Sequence, residues 1–119
     1  MPHSSALPGN FHLADRPTVF RIDRFTCPRI HWPAFSEKLA FIDEELQQHP
    51  DCLLTRVAMT ERDDLVYVVT LAEWISRDTL LSAKRDMAAS YSDKGFDPQA
   101  FMAERGITGE FATFDTIGF

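Results

Sequence analysis

The sequence predicts an α+β fold in which a four-stranded antiparallel sheet carries two main helices on one face. Four segments have the alternation and residue types of strands, and two have helical periodicity, in the order β-α-β-β-α-β. A short charged segment between the two middle strands predicts a hairpin. The 119 residues are 45% hydrophobic and 25% charged, as expected of one globular domain. Split β-α-β units in this order are typical of the ferredoxin-like arrangement.

The first strand and helix follow an N-terminal tail, residues 1–17, that has no periodicity but could dock through Phe11 and Leu13. Residues 18–26 (TVFRIDRFT) alternate as a strand, and Cys27-Pro28 is expected to end it because Pro cannot donate to a ladder. The first helix should begin around Pro33 and end near His49-Pro50, since a residue before Pro disfavours the α region. Its apolar stripe consists of Phe35, Leu39, Ile42 and Leu46.

The remaining elements are a hairpin, a second helix, a short helix and a last strand. Residues 52–60 and 65–74 are the strands of the hairpin. Ser76 is the expected N-cap of the second helix, and Gly106 should end the short helix that Asp97-Pro98 begins. Residues 109–116 alternate as the last strand. One stripe of the second helix consists of Leu80, Lys84, Met87 and Tyr91.

The strands carry apolar residues on both faces, although helices cover only one face. In the first strand, Phe20 and Ile22 lie on the face opposite to Val19 and Phe25. An uncovered apolar sheet face of several hundred Å² is unusual on a monomer. We therefore expect a homodimer in which two copies pack through this face, with the common two-fold symmetry.

Composition and charge exclude several classes of function. The formal net charge of -6 argues against nucleic-acid and anionic-membrane partners, which reward clustered Lys and Arg. No apolar run is long enough to span a bilayer, and residues 1–10 lack the features of a signal peptide, so we expect a cytoplasmic protein. The four His and two Cys make no metal-ligand spacing. Cys27 and Cys52 should lie at opposite ends of the sheet, too far apart for a disulfide.

Two segments carry a resemblance to a known family: VYVVTLAEWISRDTLLSAK, which contains Trp74, and FDPQAFMAERGITGEFATF. With these, the chain resembles the antibiotic biosynthesis monooxygenase-like family of dimeric α+β barrels over about residues 18–116, and residues 18–117 are the predicted domain. Where relatives often have a Gly after the first helix, this chain has Asp51-Cys52.

The resemblance implies a small-molecule enzyme, with cofactor-independent oxygenation of aromatic polyketide-like or quinol-type substrates as the expected reaction. In such enzymes an acidic, electron-rich substrate reacts with oxygen once it is deprotonated and shielded, so no cofactor is expected. Trp and Tyr are among the groups these sites use, which makes Trp74 and Tyr67 candidates; the only Asn is Asn10. The haem-degrading branch is rejected, because its Asn on the first strand and its Trp and His on the second helix are missing here.

Arg21 and Asp23 are the main catalytic candidates because they are charges two residues apart on one face of a predicted central strand. Asp23 could act as a general base whose pKa is raised by burial, while Arg21 stabilises an enolate or phenolate. The structural alternative is an ion pair, either mutual or across the dimer. Arg24 and Arg56 are weaker candidates of the same kind, with Arg56 assigned to substrate binding.

Two further candidates have structural alternatives that stay open. Trp74 ends the third strand, where it either contacts a ligand or closes the core with its indole N–H bonded to a partner. His31, at the start of the first helix, either binds substrate or is a solvated loop histidine. Two hypotheses for the protein remain: a small-molecule enzyme with a pocket between sheet and helices, or a non-catalytic ligand-binding or dimerisation module. A closed, dry core would favour the second.

Overall fold

The computed structural model describes residues 12–13 and 17–119. Within these residues, six strands, three α-helices and one 3₁₀ turn follow one another along the chain. In order they are β1 (His12–Leu13), β2 (Val19–Pro28), the 3₁₀ turn (Arg29–His31), α1 (Trp32–Gln47), β3 (Cys52–Arg62), β4 (Leu65–Trp74), α2 (Arg77–Asp93), α3 (Pro98–Glu104), β5 (Thr108–Asp115) and β6 (Ile117–Gly118).

Strands β2 to β5 form one antiparallel sheet in the order β3-β4-β2-β5. Phe25 and Val66 pack with residues of α1, while Val19 and Trp74 pack with residues of α2. These four strand residues share one face by register, so both helices cover the same side of the sheet. This is the predicted ferredoxin-like α+β fold.

Strand β2 is longer than the sequence suggested, since it continues to Pro28. Its pairing with β5 ends at Thr26, whereas its pairing with β4 continues to Pro28, opposite Leu65. Pro is tolerated there because it is the last residue of the strand, beyond the reach of β5.

A second, two-stranded sheet joins the ends of the chain, with β1 paired to β6. His12 lies opposite Gly118, and Leu13 lies opposite Ile117. The expected docking of Phe11 falls outside the described residues.

The buried apolar residues form two separate clusters. Strand β2 contributes to both, and two charged residues of β2 lie between them. Val19 belongs to one cluster, and Phe25 and Cys27 belong to the other. The residues between them on the same face are Arg21 and Asp23. Because charged side chains do not pack into a dry core, the helix-facing side of the sheet is interrupted at this point.

Cap motifs fix the start of α2 and both ends of α3 as the sequence predicts. Ser76 and Thr79 form a reciprocal capping box at the start of α2, and the Asp97 side chain accepts a hydrogen bond from the Ala100 N–H at the start of α3. After α3, Gly106 adopts φ +64° and the Ile107 N–H bonds the Met102 carbonyl, which is a Schellman motif.

The two cysteines, in β2 and β3, pair with residues at opposite ends of β4. Cys27 is opposite Val66 and Cys52 is opposite Trp74. Because Val66 and Trp74 are eight residues apart along β4, the two cysteines are separated by about 26 Å in the strand direction. Both thiols are free. Among the described residues no helix is both long and apolar enough to cross a membrane.

Candidate active site

A partly open cavity of about 1140 Å³ lies between the sheet and the three helices, where the apolar core is divided. Phe25 and Trp74 line it from the sheet, Leu39 from α1 and Tyr91 from α2. The volume is slightly above the usual range of small-molecule sites, about 300–1,000 Å³. The core is thus not closed, which favours a ligand site over a purely structural role.

Arg21 and Asp23 lie on the floor of this cavity. Their side chains form an ion pair in which the Arg21 Nε–H donates to Asp23 Oδ1 over 2.6 Å. Phe111 of β5 is opposite Asp23 by register, and its ring lies 5.2 Å from the Arg21 Cζ. The side chains are only 20% and 18% exposed, so the pair is largely shielded from solvent although it faces a cavity.

Two opposing effects act on the pKa of Asp23, and burial is the larger. Burial raises the pKa of this carboxyl because it disfavours the ionised form, while the hydrogen bond and charge of Arg21 lower it. The charge of Lys84 on α2 also lowers it. The net pKa lies above the ordinary value of 3.8, which is the direction a general base requires.

Trp74 is a cavity residue and also one of the most buried side chains, with only 2% of its surface exposed. Its ring packs edge to face against His49 at 5.1 Å. Its indole Nε1 is buried and bonds no acceptor among the described residues. Residues 12–13 and 17–119 thus supply no hydrogen-bond partner of the kind expected for a purely structural Trp.

The far wall of the cavity is built by the turn between α2 and α3. Gly95 adopts φ +67°, and the Phe96 N–H bonds the Tyr91 carbonyl over 2.8 Å in a second Schellman motif. This turn brings the Phe96 ring to 5.5 Å from that of Tyr91. Lys38 of α1 places its Nζ 4.9 Å from the Phe96 ring centre. Burial, with the charge of Glu45, raises the pKa of Tyr91 to about 12, so its hydroxyl remains protonated at neutral pH.

The structure brings together four of the six residues predicted for the site. Arg21, Asp23, Trp74 and Arg56 line the cavity. Arg56 is at its edge, because it pairs with Leu71 on the outer side of the sheet and its Nη1 bonds the Thr55 carbonyl.

The other two predicted residues lie elsewhere. Tyr67 is on the outer side of the sheet, where its ring stacks 4.9 Å from the Arg62 Cζ. His31 ends the 3₁₀ turn before α1 and is not part of the cavity lining. Both stay predictions for substrate binding that no contact in the cavity supports.

Sequence reasoning did not assign Lys84, Tyr91 or Phe111 to the site, although all three line the cavity. A signal for Lys84 was present: it is the one charged member of the otherwise apolar stripe that α2 turns toward the sheet. Within residues 12–13 and 17–119, no group of three or more His, Cys, Asp or Glu is placed to hold a metal ion.

Comparisons with known proteins support the fold. No protein-family model matches the chain, and no curated protein matches it. A dimeric ferredoxin-like protein from an uncultured marine organism superposes with a TM-score of 0.59, covering 86% of this chain and 95% of its own, at 11% identity. A protein from Shewanella oneidensis gives 0.56, covering 91% and 98%, at 9% identity.

SnoaB, a cofactor-independent oxygenase from Streptomyces nogalater solved as a mutant, gives a TM-score of 0.51 over 82% of this chain and 90% of its own, at 23% identity. Identities this low show a shared fold and do not carry an activity across. The class that the fold defines is therefore the ferredoxin-like α+β proteins, which includes a dimer and an oxygenase.

Proposed function

We propose that this protein is a small-molecule enzyme of the cofactor-independent monooxygenase kind, related to the antibiotic biosynthesis monooxygenase-like family. The observation that carries the proposal is the Asp23–Arg21 pair on the floor of an aromatic-lined cavity, with the pKa of Asp23 raised by burial. The fold it shares with SnoaB is consistent with this activity.

The pair suits the first step of such a reaction, which is removal of a proton from a phenolic or quinol substrate. Asp23 accepts the proton, and its raised pKa increases the driving force for transfer. The Arg21 guanidinium, held beside Asp23, stabilises the negative charge left on the substrate oxygen or enolate. The apolar walls limit the access of water to the electron-rich anion, which then reacts with oxygen.

Trp74 is the further group we assign to this site. Its indole N–H has no acceptor within the described part of the chain, so it is a donor that a bound substrate could satisfy. Tyr91 contributes a protonated hydroxyl on the opposite wall, since its pKa of about 12 excludes it as a base at neutral pH.

We also propose that the protein works as a homodimer joined through the outer face of the sheet. That face presents Ile22, Val69, Leu71 and Phe114, of which Val69 and Phe114 are exposed. A monomer rarely leaves such a surface to water. The dimeric ferredoxin-like neighbour supports this assembly for the fold.

The alternative is a non-catalytic module that binds a small ligand in the same cavity. The observation that favours it is the direct Arg21–Asp23 hydrogen bond, because a satisfied pair does not need a reaction to explain its burial. Oxygen uptake with a panel of phenolic and quinol aromatics separates the two. An enzyme consumes oxygen with at least one member and loses this in Asp23→Asn, whereas a binding module shows saturable binding without oxygen uptake.

A further inference from the structure

The cavity is more basic than the protein that contains it. The whole chain has a formal net charge of -6, yet the cavity lining has four basic residues and three acidic ones. An acidic protein repels anions at long range, so a local excess of positive charge changes which ligands the cavity favours. The basic residues are Arg21, Lys38, Arg56 and Lys84.

Two of these four cations are engaged by the protein itself. The Lys38 Nζ lies 4.9 Å from the centre of the Phe96 ring and 5.9 Å from that of Phe101, which gives it cation–π partners. Arg56 donates to the Thr55 carbonyl and lies at the edge of the cavity. Each therefore already has a partner within the protein.

The other two cations line the cavity beside Asp23, and both keep donors available although the Arg21 Cζ also lies 5.2 Å from the Phe111 ring centre. Arg21 uses its Nε for Asp23, and within the described part of the chain no side chain or carbonyl accepts from its Nη groups. Lys84 makes no hydrogen bond or ion pair in the same residues. It is nevertheless near enough to Asp23 for its charge to act on that carboxyl.

Lys84 lies on α2 at the border between the cavity and solvent. Leu80 precedes it by one helical turn and Met87 follows by three residues, and both line the cavity with it. Lys84 and the next residue, Arg85, are both exposed, but only Lys84 belongs to the cavity lining. Its apolar stem can lie along Leu80 and Met87 while its ammonium stays at the open side of the cavity, within reach of a bound anion.

We propose that Lys84 is a specificity residue that, with the Nη groups of Arg21, binds the anionic group of an aromatic ligand. The cavity then selects aromatic anions, such as carboxylates or sulfonates, over neutral aromatics of the same shape. This inference rests on the proposed function only in taking the cavity as the substrate site. It adds a charge requirement and a residue that the deprotonation step does not need.

A matched pair of fluorescent probes tests the charge requirement. 1-Anilinonaphthalene-8-sulfonate and N-phenyl-1-naphthylamine share one aromatic skeleton and differ by the sulfonate. We expect Lys84→Gln to weaken binding of the sulfonate by about two- to fivefold, as for a partly exposed charge pair, and to leave the neutral probe unchanged. Arg85→Gln, which removes the same charge one residue away, should change neither.

Added salt gives a second measurement. The affinity of the wild type for the sulfonate should fall between low and high ionic strength, and Lys84→Gln should reduce that dependence. Equal affinities of Lys84→Gln and wild type for the sulfonate, equal losses in Lys84→Gln and Arg85→Gln, or absence of sulfonate binding would each overturn the inference. Failure of the proposed function has a different signature, namely charge-selective binding that Lys84 controls without oxygen uptake from any anionic aromatic.

Discussion

Replacement of Asp23 distinguishes a catalytic carboxylate from a structural one, because the two roles require opposite effects of pH on stability. Burial is the larger effect on Asp23 and raises its pKa above 3.8. The folded state therefore binds this proton more tightly than the unfolded state does. The stability of the wild type relative to Asp23→Asn should be greatest below about pH 3.8 and should fall as pH rises through the folded-state pKa.

The size of the effect follows from the geometry of the pair. Removal of one partner from a fully buried ion pair costs roughly 3–5 kcal/mol, and from an exposed pair about 0–1 kcal/mol. With side chains 18% and 20% exposed beside an open cavity, we expect Asp23→Ala to cost roughly 2–3 kcal/mol. For a domain of this size that lowers Tm by roughly 8–12 °C.

Asp23→Asn should behave differently, because its Oδ1 can still accept the hydrogen bond from the Arg21 Nε–H. We expect a stability within about 1 kcal/mol of wild type. An amide cannot take up the proton, so kcat/KM for oxygen uptake should fall by about 10²- to 10⁴-fold.

Thermal unfolding of wild type, Asp23→Asn and Asp23→Ala between pH 3 and 7, beside oxygen uptake, measures both effects. A wild type that gains stability over Asp23→Asn as pH rises from 3 to 5 would show that the charge of Arg21 outweighs burial. Full oxygen uptake by Asp23→Asn would remove Asp23 from the mechanism. Either result refutes the assignment of a general base.

Three further predictions follow from single features of the structure. Trp74→Phe should cost about 1–2 kcal/mol in urea unfolding, because only packing is lost where no described residue accepts from the indole N–H; a cost above about 4 kcal/mol would reveal a hydrogen bond. Light scattering at micromolar concentration should give wild type a mass of twice 13.6 kDa and Val69→Lys a mass of 13.6 kDa, since Val69 lies on the proposed dimer face; a monomeric wild type would contradict the dimer. In an absorbance titration of the two tyrosines, a step at about pH 12 should vanish in Tyr91→Phe, and the stability that Tyr91 contributes should persist below pH 10 and fall as pH rises toward 12. A wild type without a step near pH 12 would contradict the buried phenol.

The candidate site could be predicted in part, and the reason lies in the periodicity of strands. Alternation alone places Arg21 and Asp23 on one face with Val19 and Phe25, and the structure has them there. Arg56 was found in the cavity lining, but at its edge. The family resemblance favours Tyr67 by residue type alone, whereas register places it on the outer face of the sheet.

Local chemistry in the sequence determined the elements of this protein. The Ser76 capping box, the Asp97 cap and Gly106 in the left-handed region are decided by residues a few positions apart, and each is where the sequence predicts it. The order of helices and strands then restricts the sheet to few topologies.

Only the tertiary structure decided the cavity. Its volume depends on how far α2 and α3 stand from the sheet, and hence on side chains from distant parts of the chain. Lys84 belongs to the site because a helix packs over Arg21 and Asp23, and Phe111 belongs because β5 pairs beside β2 in one register. Hydrophobic periodicity identifies the buried face of an element, but which residues of two buried faces meet is set by packing between them.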